Sequence, residues 1–193
     1  AAFSNPGSSQ FISKLNPDFS SFKYSTVFGT GSNITNLSPI GFMVDRCENV
    51  YFSGWGGGIN VYKRYTFGTT NGLPLVNSLS GINPPDGEDL YFFVLKKNAS
   101  AQLFGSNFGQ FRGTIGDHVD GGTSRFDENG VIYQAICANC NGGAVFPTTA
   151  GVWSRNNGSI DCNQAVVKIE MNFSGVAAAV RPSINTVIND SMD

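Results

Sequence analysis

Few side chains in this sequence can do chemistry, and their types narrow what that chemistry is. One histidine stands among 193 residues, with four cysteines and two tryptophans. His118 lies in Asp117-His118-Val119-Asp120-Gly121-Gly122. There it could act as a base flanked by two carboxylates; the plainer reading is a loop histidine bonded to backbone. A two-histidine metal site within the chain is excluded. Asp117 and Asp120 also offer oxygen ligands in a glycine-rich loop, the kind a calcium ion takes. Structural calcium is the one cofactor the sequence raises. No Gly-x-Ser-x-Gly elbow occurs, and Asp45 and Asp127, at matching turn positions, read as caps of their own turns. The expectation is a non-enzymatic chain.

The cysteines are Cys47, Cys137, Cys140 and Cys162. A four-cysteine zinc site usually shows two CxxC pairs, and only Cys137-Ala-Asn-Cys140 is present. A redox CxxC needs a helix start to lower its thiol pKa; this one follows a strand and precedes Gly142-Gly143. Disulfides remain. The simplest bridge is Cys140–Cys162, stapling the loop that carries Phe146. Parity then asks Cys47 to pair with Cys137, while the expected strand order sets them on opposite faces, so their partners stay open. Trp55 sits in Gly54-Trp55-Gly56-Gly57-Gly58 and Trp153 in the analogous later connection. Exposed, either ring could stack on a sugar; buried, it would plug the core between blades, and Phe3 takes the repeat position of Trp153.

These residues have to be carried by strands. Charged residues are only 13% and the formal net charge is −2, which rules out nucleic-acid binding driven by positive charge. The low charge also argues against a coiled coil. Glycine (24) and phenylalanine (16) are abundant, which favours short strands joined by tight turns. No run of 18 apolar residues occurs, so the chain is expected not to span a membrane. The opening AAFSNPGSSQ shows no signal peptide and reads as the middle of a longer product.

The strands repeat. FISKLNPD from Phe11, YFFVLKKNA from Tyr91 and VVKIEMNF from Val166 are each an apolar strand with a lysine, then a polar turn. The first two lead into FKYSTVFG and AQLFGSNFG, which predicts β-hairpins. Residues 39–56 and 123–139 both read strand, Asp-led turn, strand. FPTTAGVWS at 146–154 echoes AFSN at 2–5. The register from Ala2 to Val152 covers 150 residues and two units, so the period is about 75 residues. Four strands per unit, numbered from Phe11, suggest propeller blades. The long connections 57–89 and 138–164 then cross from strand four to the next strand one, with 61–67 as a small strand of its own. The expected fold class is all-β, with propeller-like antiparallel four-stranded blades, partial or open, and long crossover loops. A β-sandwich of two similar halves is the alternative. After residue 173 the pattern reads as a linker and a new strand at 184–189, with a short helix at 175–181 as the other option.

FISKLNPDFSSFKYSTVFG, VDRCENVYFSGWGG, DHVDGGTSRFDENGVIYQAICANCNGG and FPTTAGVWS resemble β-propeller-type repeats of secreted bacterial proteins. The version with the cysteine pair is similar to modules of very large surface proteins of gliding Bacteroidota. The resemblance covers residues 2–173, and Leu73-Pro74-Leu75-Val76 departs from its Phe-Pro-Thr-Thr pattern. It implies a propeller-like region at 1–173, about two blades plus the first strand of a third. A linker and the start of an Ig-like module of the polycystic-kidney-disease type follow at 174–193. It also implies export through the type IX secretion system, a secreted or cell-surface location, and a role in adhesion or gliding motility. The partners it implies are other domains of the same long chain, surface or secretion-machinery proteins, or polysaccharide. A carbohydrate-binding or carbohydrate-processing propeller is the alternative function, resting on Trp55 and Trp153.

Overall fold

A computed structural model describes residues 3–57, 68–112, 115–120, 124–127, 131–140, 146–156, 158–170 and 183–189. It is all-β, with ten strands among the described residues: β1 (Gln10–Leu15), β2 (Phe22–Phe28), β3 (Ser38–Val44), β4 (Val50–Trp55), β5 (Leu90–Leu95), β6 (Gln102–Phe108), β7 (Ser124–Phe126), β8 (Ile132–Ala138), β9 (Asn163–Glu170) and β10 (Ser183–Asn189). They form three antiparallel sheets: a β1–β2 hairpin, a middle sheet β3-β4-β5-β6, and a last sheet β7-β8-β9-β10.

Strand sequence dictates how the sheets stack. In β4 (VYFSGW) and β5 (LYFFVL) every residue is buried. Successive side chains of a strand point to opposite faces, so the middle sheet must be covered on both. Val50, Phe52, Tyr91, Phe93 and Leu95 face the hairpin, where they join Ile12 and Phe28. The Phe28 ring lies 5.0 Å from Phe52 and 5.1 Å from Phe93. On the other face Tyr51, Trp55, Leu90, Phe92, Val94, Phe104 and Phe108 meet Ile132, Ile136, Ala165, Val167 and Ile169 of the last sheet. In β8 and β9, by contrast, buried and half-exposed residues alternate. Among the described residues only one face of β8 and β9 is covered.

The repeat is present, but its phase differs from the expectation. Each four-stranded sheet takes strands three and four of one unit together with strands one and two of the next. The long connections, expected to run between blades, instead join neighbours in one sheet, β4 to β5 and β8 to β9. The shorter links 29–37 and 109–123 pass from sheet to sheet. The reason is edge coverage. The connection to β5 folds back along β6, where Val76 pairs with Gly105. A Cβ at Gly105 would stand 2.5 Å from the Pro74 carbonyl oxygen, so glycine is what lets the two backbones approach. The open edge of β6 is thereby covered.

Beyond residue 173 the described residues are those of β10. The strand read as the opening of a further module is β10, and it pairs with β9 from Ser183↔Glu170 to Asn189↔Gln164. The expected strand at 61–67 and the helical option at 175–181 lie outside the described residues. Sheet pairing closes neither a barrel nor a ring among the described residues.

Burial on two faces has a measurable consequence. Phe92→Ala and Phe93→Ala point to opposite faces and should each lower the unfolding free energy by about 3–5 kcal/mol. Tyr133→Ala, on the uncovered face of the last sheet, should cost about 1 kcal/mol or less. Urea unfolding of the three variants checks this prediction; a Tyr133 loss equal to that of Phe93 would mean that the last sheet is covered on both sides.

Candidate functional site

The side chains with chemistry gather where the middle and last sheets meet. The link 109–123 brings His118 alongside β8, and its backbone pairs with Cys137 (His118 N–H to Cys137 O 3.2 Å, Cys137 N–H to His118 O 2.9 Å). The His118 side chain is 4% exposed. Nδ1 lies 2.9 Å from the Gly116 carbonyl, a contact that calls for N–H at that nitrogen. Nε2 lies 3.2 Å from Asp120, and the Cys137 thiol also bonds the ring. Burial pulls the imidazolium pKa down, but Cys137, the Gly116 carbonyl and Asp120 outweigh it and raise it to about 9.

The ring nitrogen, Asp120 carboxylate and Cys137 sulfur lie within 4.8 Å of one another, as do those of His118, Cys140 and Cys162. The first trio could hold a thiophilic cation such as zinc with one position left open. The Gly116 carbonyl would orient the imidazole from behind. In the second trio the sulfurs are already joined, since Cys140 and Cys162 form a disulfide. That bridge is the one the sequence singled out. Cys47 and Cys137 remain thiols. Cys47 sits in the β3–β4 turn, whereas Cys137 lies at the far end of β8, beyond reach of a sulfur at that turn.

Trp55 is 6% exposed, with its ring 5.9 Å from His118. It fills the space between sheets and leaves no ring face for a sugar, which removes it as a stacking residue. Trp153 is 79% exposed and keeps its ring free. The calcium pair does not converge either. Asp120 turns outward to His118, while Asp117 is fully buried and accepts from the Gln110 amide. These two carboxylates share no ligand cluster among the described residues.

The sequence missed a different pair. Although it stands in an acidic run with Asp86 and Glu88, Asp89 is buried and accepts from Thr70 Oγ1 (2.9 Å) and the Gly87 amide (3.2 Å). Asp89 and Asp117 flank Gly109, where a Cβ would stand 2.5 Å from Asp117 Oδ2 and 3.0 Å from Asp89 Oδ1. Burial, with the neighbouring carboxylates adding to it, raises Asp117 to about 8. Burial and Asp86 raise Asp89 to about 6 against its hydrogen bonds. The sequence marked Asp117 as a partner of Asp120 and not of Asp89, because the contact with Asp89 joins two different connections.

No family model, curated protein or solved structure matches the chain. Among the described residues no helix is long and apolar enough to cross a membrane.

Two measurements test this region. Asp117 and Asp89 bind protons more tightly folded than unfolded, so the stability they give is full below their ordinary value of 3.8 and lost as pH rises to about 8 and about 6. His118 acts in the same direction between 6.5 and about 9. Glu48, held down to about 2 by Lys14 and Lys97, contributes above 4.5 and loses that contribution in acid. The predicted melting temperature peaks near pH 4–5 and falls towards pH 9, and Asp117→Asn flattens the fall. A rise from pH 5 to pH 8 in the parent chain would contradict the carboxyl assignment. Separately, the disulfide closes a 22-residue separation, worth about 3 kcal/mol in the chain-entropy model. Calorimetry with and without reductant should show that loss, and Cys140→Ala/Cys162→Ala should abolish the effect of reductant.

Proposed function

We propose that this chain is a non-enzymatic structural and adhesion module, propeller-like in its serial sheets, belonging to a large secreted or cell-surface protein. The observation that carries the reading is the serial stack itself: one sheet buried on both faces between two others, with the same pair of hairpins recurring along the chain. Stacked repeats of this kind make rigid blocks whose function lies on their surface. The disulfide suits an oxidising location outside the cell. The resemblance to surface repeats of gliding Bacteroidota adds the roles of adhesion or gliding motility, export by type IX secretion, and neighbouring Ig-like modules as partners.

A second reading, carbohydrate binding, is favoured by one feature. The exposed Trp153 ring stands on the β8–β9 connection and could stack on a sugar. A structural calcium ion at Asp117 and Asp120 draws no support from their divergent directions.

The experiment is surface accessibility on producing cells. Protease treatment of intact cells should release or cleave the module, and beads coated with it should adhere to abiotic or polysaccharide surfaces. Protection in intact cells together with no bead adhesion would refute the proposal. Glycan-array binding that Trp153→Ala removes would give the activity to carbohydrate recognition instead.

A further inference from the structure

The two ends of the stack are chemically unlike, and the repeat says what one of them takes. Asp45 and Asp127 occupy the same place, each accepting from the amide four residues on (2.8 and 3.0 Å). Through that match Val44 corresponds to Phe126 and Phe42 to Ser124. Strand β5 corresponds to β1, both opening a hairpin with a seven-residue partner. In the middle sheet β5 has β4 along its other edge. Among the described residues β1 pairs only with β2.

We propose that the groove between β1 and β3 receives a β-hairpin of the β3–β4 type from a further repeat, whose second strand pairs antiparallel with β1. The groove has a volume of about 370 Å³ and is lined by Ile12, Leu15, Phe19, Phe42, Val44 and Val50 among others. Phe42 is 60% and Val44 50% exposed. At the next interface the corresponding positions are half-buried. The Tyr51 ring packs on Phe126 at 6.2 Å, and Ser124 Oγ bonds the Ile40 carbonyl at 3.0 Å. The covering residues come from β3 and β4, so the hairpin missing over Val44 and Phe42 is the one that would supply their counterparts. The pairing with β1 continues an interface the fold already uses between β4 and β5. It would supply main-chain hydrogen bonds, with side-chain pockets setting register.

The opposite end does not ask for a partner in the same way. Tyr51, Ser53 and Trp55 in β4 correspond to Tyr133, Ala135 and Cys137 in β8; Leu90, Phe92 and Val94 in β5 correspond to Gln164, Val166 and Lys168 in β9. The outward face of β8 and β9 is therefore largely small or polar, as in repeats whose outer face meets water. The inference rests on the serial-repeat part of the proposed function and not on adhesion.

The test fuses residues 38–56, or in a second fusion residues 123–139, ahead of the full chain through a Gly/Ser linker of about 15 residues. Hydrogen exchange and thermal melting are then measured. The amides of β1 should exchange at least tenfold more slowly and the melting temperature should rise. A linker-only fusion should do neither, and Val44→Glu in the body of the chain should cancel both effects. Unchanged β1 exchange in both fusions, or protection that survives Val44→Glu, overturns the proposal. So does an unfused chain that sediments as a dimer with β1 already protected, which would give the groove to a second copy. None of these readouts depends on cell-surface location, so either proposal can fail alone.

Discussion

The fold depends on burying both faces of β4 and β5. Twelve consecutive-in-strand positions, without a solvent-facing set among them, cannot sit in a sheet that has one wet side. Fully burying each large apolar side chain is worth about 1.5–3 kcal/mol, so the middle sheet is stable only with a sheet against each face. That requirement sets the order of the stack. It also fixes register, because a slip of one residue would exchange the Phe92 face for the Phe93 face and pair each with the wrong neighbour.

The connections solve the problem that this stacking creates. Sheets covered on their faces still expose edges. The β4–β5 connection lies along β6, with Tyr91 OH donating to the Pro74 carbonyl at 2.5 Å and the Leu79 amide donating to Ser106 Oγ at 3.1 Å. The β8–β9 connection sends Phe146 into the core against Phe108, ring centroids 4.9 Å apart, and the disulfide ties its two ends. Buried polar groups are the cost of bringing backbone so close. Asp89 accepts amide hydrogen bonds for that reason, and Asp117 keeps one carboxylate oxygen without a partner, which disfavours its charged form.

How much of this was legible in the sequence follows from which signals are local. Strand existence was legible, since alternation and turn chemistry act over a few residues: the Asp45 and Asp127 caps, both hairpins and the Cys140–Cys162 staple lie where their residue types put them. Sheet membership was not. A periodic sequence has no first strand, and the same meander can be divided after any of its strands. Connection length misled the division, because a long connection reads as a crossover, whereas here it returns to the adjacent strand and covers an edge. The site was legible only in its members. His118, Cys137 and Asp120 were visible as residue types, but their meeting depends on a bridge between residues 118 and 137 that no spacing rule encodes. Asp89 stands in an acidic run with Asp86 and Glu88, a composition that does not announce a buried carboxyl.

The same substitutions that distinguish the last sheet from the middle one also give the stack a direction. Sheets stack where the facing surfaces are apolar and less readily where they are polar. Exchanging Phe92 and Trp55 for Val166 and Cys137 removes aromatic area. Exchanging Leu90 and Val94 for Gln164 and Lys168 places groups there whose burial without partners would be unfavourable. Lys168 keeps its charge near Glu170 and over the Tyr133 ring at 5.9 Å, an arrangement that suits a wet face. At the hairpin end no such exchange occurs: Phe42 and Val44 stay apolar while exposed. Face chemistry, rather than strand number, thus sets the two sheets apart, and it lets one four-stranded pattern stand with both faces of its central strands apolar or with one face polar.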